Sequence, residues 1–446
     1  MSISSSSSPD TLNYERFQQL QMRLDMSRGK PAPEQLDLSQ ALIDEAGKAG
    51  YRAADGFDCR NYGLLLGLPE ARELGGELLG VAAAQVVAAG NSSLELMHDA
   101  MAFALLHGVP QGVPQGEQGA DAQRGTPWRA QGDIAFLCPA PGYDRHFAIC
   151  EALGVRMIAV PMRDDGPDMD IVEARVREDA SIKGMWCMPL YSNPTGAIYA
   201  DEVVQRLAAM PTAAPDFRLF WDDAYRFHHL GDAAHTTLDV MAASAAAGHA
   251  DRVLMFASLS KVTIAGGAMA WLAASPRNVA WWQRSVSART IGPDKLNQLR
   301  HVRYLRDKAT LEALMARHRA LLAPKFDAVD EVFRTRLAQV PGVHWNRPQG
   351  GYFISLFVPP GTARRTVELA GEAGLVLTPA GAAFPYGVDA QDSHLRIAPS
   401  FPSLDEVRLA AHGIALSVLR AIEMREEAHE EAHEEARKEA RKEATA

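Results

Sequence analysis

The stretch Phe256-Ala-Ser-Leu-Ser-Lys-Val-Thr-Ile-Ala-Gly-Gly267 places a lysine between two apolar runs, after two serines and before a glycine pair. Residues 253–256 are typical of a buried strand, 258–261 of its exit loop, and 266–274 of a second apolar strand. Lys261 is therefore expected at the edge of a core. Burial favours the neutral amine of a lysine, which can attack a carbonyl carbon to form a Schiff base. The alternative is a surface lysine whose stem packs on the core. Partner residues elsewhere in the sequence must distinguish the two interpretations.

Length and composition favour a globular protein of two or three domains. The chain has 446 residues, of which 47% are hydrophobic and 22% charged, with a net charge of -10. This acidic balance does not indicate nucleic-acid binding. Residues 1–10 lack the features of a signal peptide, and no apolar run reaches membrane-spanning length. We therefore expect a cytoplasmic protein with neither a nucleic-acid nor a membrane partner.

The four cysteines give no sign of a disulfide framework or a zinc site. Cys59, Cys138, Cys150 and Cys187 are scattered and form no CxxC pair. This spacing favours reduced, mostly buried thiols. No metal is expected.

Short apolar runs alternate with helical stretches over the middle of the chain. The predicted strands are 85–89, 134–138, 157–160, 185–188, 219–221, 253–257 and 269–273, and the predicted helices 94–106, 146–153, 171–177 and 200–209 alternate with the first five. The pattern predicts an α/β fold with a mostly parallel, seven-stranded sheet covered on both faces. In such sheets ligands gather at the carboxyl ends of the strands.

The remaining sequence predicts a second, smaller unit. A long helical run over 296–338, interrupted by Pro324, is the expected hinge, and 352–358 and 395–398 are predicted strands of a smaller α+β domain. We expect an N-terminal arm and part of the small domain in 1–50, a large domain in 51–318, the C-terminal small domain in 319–423 and a charged tail in 424–446.

Polar clusters follow several predicted strands. Ser92 and Ser93 begin a helix after the first strand, where free N–H groups can hold a phosphate, although serine is also an ordinary N-cap. Tyr143 follows the second strand, and a core tyrosine is its alternative. Asn193 follows the fourth strand before a proline, in what could be a plain turn.

Two charged residues lie where an unpaired charge would be costly. Asp222 directly follows an apolar strand in Trp221-Asp-Asp-Ala-Tyr225 and needs a cationic partner. Arg396 lies between apolar residues in His394-Leu-Arg-Ile-Ala398 and needs a carboxylate. Amine, carboxylate, phosphate cradle, aromatic face, amide and lone arginine together match pyridoxal 5'-phosphate chemistry.

The motifs Asn193-Pro-Thr-Gly196, Asp222-x-Ala-Tyr225 and Ser258-x-Ser-Lys261, in this order, resemble those of class I aminotransferases of fold type I. Stretches 28–39 and 291–301 are similar to the divergent aspartate aminotransferase subgroup, type Ic. The resemblance covers nearly all of the chain apart from the tail. It implies a fold-type I architecture, pyridoxal 5'-phosphate as cofactor and a homodimer with shared active sites.

The resemblance also implies roles for residues around the cofactor. Lys261 would hold it as a Schiff base and shuttle the proton between substrate Cα and cofactor C4'. Asp222 would pair with the pyridine nitrogen, while Asn193 and Tyr225 would hydrogen-bond the phenolic oxygen. The remaining cofactor contacts would be Tyr143 on the ring, Ser92, Ser93 and Ser258 on the phosphate, and Tyr62 from the second subunit.

For the substrate, the resemblance implies that Arg396 grips the α-carboxylate, with Gly29, Lys30 and Asn193 beside it. Many class I members carry a phosphate-binding arginine eight residues after the lysine, and here that position is Met269. We therefore hypothesise that Lys295, supplied by the partner subunit or by the same chain, neutralises the phosphate. Arg289 and Lys30 are candidates for the contact with a substrate side-chain carboxylate.

The expected activity is transfer of an amino group between an L-amino acid, aspartate or glutamate, and a 2-oxo acid. One alternative is a lyase or decarboxylase on the same scaffold, because the fold supports several reactions. Another is a non-catalytic, aminotransferase-like sensor, against which stands the lack of a winged-helix segment ahead of the domain.

Overall fold

A computed structural model describes residues 12–45, 50–111 and 125–443. Its strands, in chain order, are β1 (Leu24–Asp25), β2 (Val86–Ala88), β3 (Ala135–Ala140), β4 (Arg156–Arg163), β5 (Gly166–Pro167), β6 (Ile182–Cys187), β7 (Arg218–Asp222), β8 (Val253–Ser258), β9 (Ala270–Ala274), β10 (His344–Trp345), β11 (Ile354–Phe357), β12 (Leu375–Val376) and β13 (His394–Ile397).

The helices are α1 (Tyr14–Gln19), α2 (Pro33–Asp37), α3 (Ala41–Asp44), α4 (Pro69–Leu79), α5 (Ser93–His107), α6 (Asp144–Leu153), α7 (Met169–Glu178), α8 (Asp201–Ala209), α9 (Val240–Ala246), α10 (Pro276–Val286), α11 (Lys295–Leu305), α12 (Lys308–Leu337), α13 (Ala363–Glu372) and α14 (Leu404–Glu443). Among the described residues, no helix is both long enough and apolar enough to cross a membrane.

The large sheet confirms the mostly parallel α/β architecture. Its strand order is β2-β9-β8-β7-β6-β3-β4-β5. The run from β8 to β4 is parallel, whereas β9 is antiparallel to both of its neighbours and β5 is antiparallel to β4. All seven predicted strands are present, and the two-residue β5 adds an edge. Strands β3, β6 and β7 are buried at every residue, which explains why their sequences are apolar runs and do not alternate.

Helix α12 corrects one expectation, because it continues through Pro324 from Lys308 to Leu337. The break in the long helical run lies earlier, at Arg306, whose φ is 58°. Asp307 then caps α12 by accepting the backbone N–H of Thr310 at 2.8 Å. Burial around the proline explains its tolerance, because Leu322 and Phe326 pack into apolar clusters on either side and this packing outweighs the hydrogen bond that proline removes.

A smaller unit combines a three-stranded antiparallel sheet, β10-β11-β13, with the parallel pair β1-β12. Its core combines residues from the N-terminal and the C-terminal parts of the chain. Phe17, Leu24 and Met26 pack among side chains between Phe326 and Val418. The predicted domain limits stay predictions; the one at 318/319 falls inside α12. Parts of the predicted arm and of the tail's end lie outside the described residues. The four cysteines are buried, free thiols.

Candidate functional site

The carboxyl ends of β3, β7 and β8 bring Tyr143, Asp222 and Lys261 to one edge of the large sheet. Lys261 follows β8, and its Nζ lies 4.8 Å from the centre of the Tyr225 ring. Burial lowers the pKa of Lys261, and the negative charge of Asp222 opposes this shift. The lysine is therefore a desolvated amine that interacts electrostatically with a carboxylate.

Asp222 is buried at the end of β7, with 1% of its surface exposed. Its Oδ2 accepts a hydrogen bond from His146 Nε2 at 3.0 Å. Its Oδ1 is buried without a hydrogen-bond partner among the described residues. Because a buried, unpaired carboxylate oxygen is costly, this atom indicates a missing donor such as a protonated ring nitrogen.

Tyr143, Tyr225 and Asn193 surround the same point. Burial is the main cause that raises the pKa values of both tyrosines, and the charge of Asp222 raises both further. Asn193 is also buried, and within the described chain its Oδ1 lacks a partner. The site thus holds a second polar atom that is available to a ligand.

The N-terminus of α5 and the loop before Lys261 form a continuous polar cradle. Ser258 Oγ donates to Ser260 Oγ at 3.1 Å, and Ser260 Oγ donates to the carbonyl oxygen of Asn91 at 3.1 Å. Ser92 is the N-cap of α5, where its Oγ accepts from the Glu95 N–H, and Ser93 is the first helical residue. Serine hydroxyls beside free helical N–H groups can bind a phosphate.

Arg396 lies on β13, with its guanidinium toward the large sheet. Its Nη1 donates to Asp144 Oδ1 at 2.6 Å, and its Nε donates to Thr378 Oγ1 at 3.4 Å. The centre of the Phe353 ring lies 5.1 Å from its Cζ. The predicted carboxylate partner thus exists, and it comes from the first residue of α6, next to Tyr143.

Gly29 and Lys30 lie on the segment that runs beside β13. The Met26 carbonyl oxygen accepts the N–H of Ala398 at 2.9 Å. A Cβ at Gly29 would lie 2.3 Å from Phe353 Cζ, so a larger residue there would have to push the Phe353 ring aside. Lys30 Nζ lies 3.7 Å from the centre of the Phe401 ring. Phe353 therefore contacts both Gly29 and Arg396.

Tyr62 and Lys295 form a separate pair of neighbours. Tyr62 is 77% exposed. Lys295 Nζ donates to the carbonyl oxygen of Gly63, the residue that follows Tyr62, at 3.1 Å. Within the described chain no hydrogen bond joins Lys295 to Ser92, Ser93 or Ser258. Arg289, a candidate for the substrate side chain, is instead paired with Glu95 and with Asp99 at 3.0 Å.

Met269 is fully buried in the main core. The side chain at this position packs into the apolar core, an environment that suits methionine and not a charged arginine. The position therefore offers no cation to the cradle.

Besides Asp144, three site residues escaped the sequence reasoning. The ring of His146 stacks on Trp186 at 4.3 Å and binds Asp222. His228 Nε2 and the Tyr352 hydroxyl both donate to the carbonyl oxygen of Lys261, at 3.1 and 3.4 Å. The spacing of His146, three residues after Tyr143 at a helix start, was the available signal, whereas nothing local distinguishes Tyr352.

The residues present fit pyridoxal 5'-phosphate. A buried carboxylate oxygen awaits a donor, a desolvated lysine lies nearby, and a serine-lined helix N-terminus is connected to the lysine loop. Across the described ranges, no group of three histidine, cysteine or acidic side chains is arranged to hold a metal ion.

Comparisons with known proteins identify the family of the chain. The family model described as aspartate amino-transferase matches residues 3–429. A relative from Mycolicibacterium smegmatis is 50% identical over 92% of this chain and 93% of its own. The crystal structure of an aspartate transaminase from Corynebacterium glutamicum has a TM-score of 0.87 and 43% identity, covering 92% of this chain and 93% of its own.

A more distant structure supports the fold alone. The α-aminoadipate aminotransferase of Thermus thermophilus, solved with N-(5'-phosphopyridoxyl)-L-leucine, has a TM-score of 0.71 and 20% identity, covering 93% of this chain and 97% of its own. The extent of the family match and the 43–50% identity over most of the chain carry the stronger conclusion. The chain belongs to the aspartate aminotransferase family, and it is an aminotransferase of fold type I.

Proposed function

We propose that this aminotransferase uses pyridoxal 5'-phosphate to exchange the amino group of L-aspartate or L-glutamate with a 2-oxo acid. The observation that carries the proposal is the buried Asp222, whose free Oδ1 lies in the same site as the desolvated Lys261. The pyridoxyl ligand of the T. thermophilus enzyme and the aspartate transaminase activity named for the C. glutamicum protein support the choice of cofactor and substrate.

Pyridoxal 5'-phosphate, when bound, supplies an aldehyde carbon that reacts with amines and a ring that withdraws electrons. Asp222 would hold its ring nitrogen in the protonated form, and His146 would fix the direction of that carboxylate. Asn193 and Tyr225 would donate to its phenolic oxygen, and Tyr143 would cover the ring. Ser92, Ser93 and Ser258 would hold the phosphate.

Lys261 would act as the base. Its lowered pKa increases the fraction of neutral amine, and Nζ in that form can take the proton from the substrate Cα. Hydrogen bonds from His228 and Tyr352 fix the carbonyl oxygen of the same residue. These bonds restrict the backbone of Lys261, so that only its flexible side chain would have to move when Nζ transfers the proton.

Arg396 would bind the α-carboxylate of the substrate, because its guanidinium is nearly buried and already oriented by Thr378 and Phe353. Gly29 brings the N-terminal segment against Phe353, and Lys30 and Asn193 would contact the bound substrate. The side-chain carboxylate would be met by Lys30 or Arg289; of the two, only Lys30 lies on a segment beside β13.

Tyr62 and Lys295 would serve the site of a second subunit in a homodimer. Their mutual proximity through Gly63 and the exposure of Tyr62 support this idea. Mixing Tyr62→Phe and Lys261→Ala chains tests it. If sites are shared, hybrid dimers will contain one site with both changes and one with neither, and mixing will restore activity; no restoration would refute sharing.

Half-reactions of the purified protein test the function. With L-aspartate alone, the absorbance of the lysine-bound cofactor should disappear as oxaloacetate forms stoichiometrically, and 2-oxoglutarate should restore it. Lys261→Ala should lack that absorbance while still binding the cofactor. Release of β-alanine, or no reaction with either aspartate or glutamate, would refute the proposed substrates.

A further inference from the structure

The ion pair between Asp144 and Arg396 connects the two parts of the site. Asp144 begins α6, directly after β3 of the large sheet, whereas Arg396 lies on β13 of the small sheet. The Asp144 Oδ1 and Arg396 Nη1 atoms are 2.6 Å apart. A carboxylate of the protein thus occupies the guanidinium that the proposed function assigns to the substrate carboxylate.

The burial of Arg396 explains why a carboxylate is needed there before substrate arrives. Only 8% of its side chain is exposed, and Phe353 and Thr378 supply one aromatic face and one hydroxyl. A guanidinium buried without an anion is strongly unfavourable. Asp144 therefore neutralises a buried charge that would otherwise be uncompensated within the described chain.

The surroundings of Asp144 differ from those of Arg396. Its side chain is 31% exposed, so water can solvate the carboxylate when Arg396 leaves it. It also lies in the first turn of α6, where the helix dipole and free N–H groups stabilise a negative charge. Separation is therefore inexpensive for Asp144 provided that Arg396 receives another carboxylate at once.

We infer that Asp144 is an internal stand-in for the substrate α-carboxylate, which the incoming substrate displaces from Arg396. This inference rests on the proposed role of Arg396. The exchange replaces one carboxylate by another, so the buried guanidinium stays paired throughout. Asp144 thereby weakens the affinity for both amino acid and 2-oxo acid, because each must compete with it, and it acts as a positioning residue that sets KM.

Binding of succinate, an amine-free dicarboxylate, to the cofactor-loaded enzyme tests the inference by calorimetry. Asp144→Asn should bind succinate roughly tenfold more tightly, because no ion pair with Arg396 has to be broken. KM for L-aspartate and for 2-oxoglutarate should fall by a similar factor. Asp164→Asn, which removes the same charge from an exposed position, should leave the succinate affinity unchanged.

Unchanged or weaker succinate binding by Asp144→Asn, and likewise by Asp144→Ala, would overturn the inference and show that Asp144 only supports the arginine. Arg396→Ala separates this result from a failure of the proposed function. If Arg396→Ala loses succinate binding while the Asp144 variants gain none, only the displacement is wrong. If Arg396→Ala binds succinate like the parent, the role of Arg396 itself is wrong, and the inference falls with it.

Discussion

Replacing His146 by phenylalanine tests whether the catalytic carboxylate depends on a partner that stacks on the core. The ring would keep its position against Trp186, where the parent rings stack at 4.3 Å with an angle of 8° between planes. The hydrogen bond to Asp222, now 3.0 Å long, would be lost. Both oxygens of a carboxylate that is 1% exposed would then lack a partner within the described chain.

Removing one partner of a buried pair typically costs about 3–5 kcal/mol, because the remaining charge stays in a dry environment. At about 2.1 cal/mol/K per residue, the 446-residue chain has an unfolding entropy of roughly 0.9 kcal/mol/K. His146→Phe should therefore lower Tm by ~3–5 °C in the cofactor-free protein. Pyridoxal 5'-phosphate should recover part of this loss, because its ring nitrogen gives Asp222 a partner.

The assay is calorimetric melting of cofactor-free protein at pH 7, with His146→Gln as the matched control. Glutamine retains a hydrogen-bond donor but loses the ring, so its loss should be smaller if the bond to Asp222 dominates. A melting temperature of His146→Phe within about 1 °C of the parent would refute the reasoning. A larger loss in His146→Gln than in His146→Phe would assign the effect to stacking.

Further predictions concern acidity, the substrate segment and the missing arginine. Burial lowers four histidine pKa values, to about 3 or about 4, so these side chains are neutral in the folded protein and charge on unfolding: His228, His301, His318 and His394. The free energy of unfolding should therefore be highest above about pH 6.5 and fall as the pH drops toward 4, by about 1.4 kcal/mol per pH unit for each histidine. His318→Gln should reduce the slope of this free energy against pH by the equivalent of about one proton. A slope as steep as the parent's would contradict the prediction. Gly29→Ala should lower the free energy of unfolding by about 1–3 kcal/mol through overpacking against Phe353 and should raise KM, as measured by urea unfolding and steady-state kinetics. Parental values of both quantities would show that the segment shifts without cost. Met269→Arg should destabilise the fold without tightening cofactor binding, because this position is fully buried; a lower cofactor Kd in fluorescence titration would contradict the structure.

The apolar runs predicted the large sheet well, because strands buried on both faces carry their signal in a few adjacent residues. Helix α4 also carries a local signal for its start, because Pro69 lies in its first turn. The continuity of α12 was not predictable from Pro324, because it depends on packing against residues distant in sequence. Likewise, two-residue strands such as β1 and β12 have no periodicity of their own and exist only through pairing with each other.

The site divides along the same line. Lys261, Asp222, Asn193 and Tyr225 lie in short motifs that point to their chemistry. His146 and Asp144 do not, because each is defined by a partner that lies 76 or 252 residues away. A sequence can show that a buried carboxylate or guanidinium needs a counterpart, but the identity of the counterpart follows from the crossing of strands and helices.

The mixed origin of the small unit's core has a consequence for how the protein is made. Phe17, Leu24 and Met26 can be buried only after the chain has been synthesised to about Val418, whereas the strands of the large sheet are complete by Ala274. During synthesis, the strands that carry most of the proposed cofactor pocket can therefore fold first. The apolar residues near the N-terminus stay exposed during that time, when chaperones can bind them or they can aggregate. Phe353 can lie between Gly29 and Arg396 only once this later part of the chain has emerged, so a nascent chain would assemble most of its proposed cofactor contacts before its proposed substrate contacts.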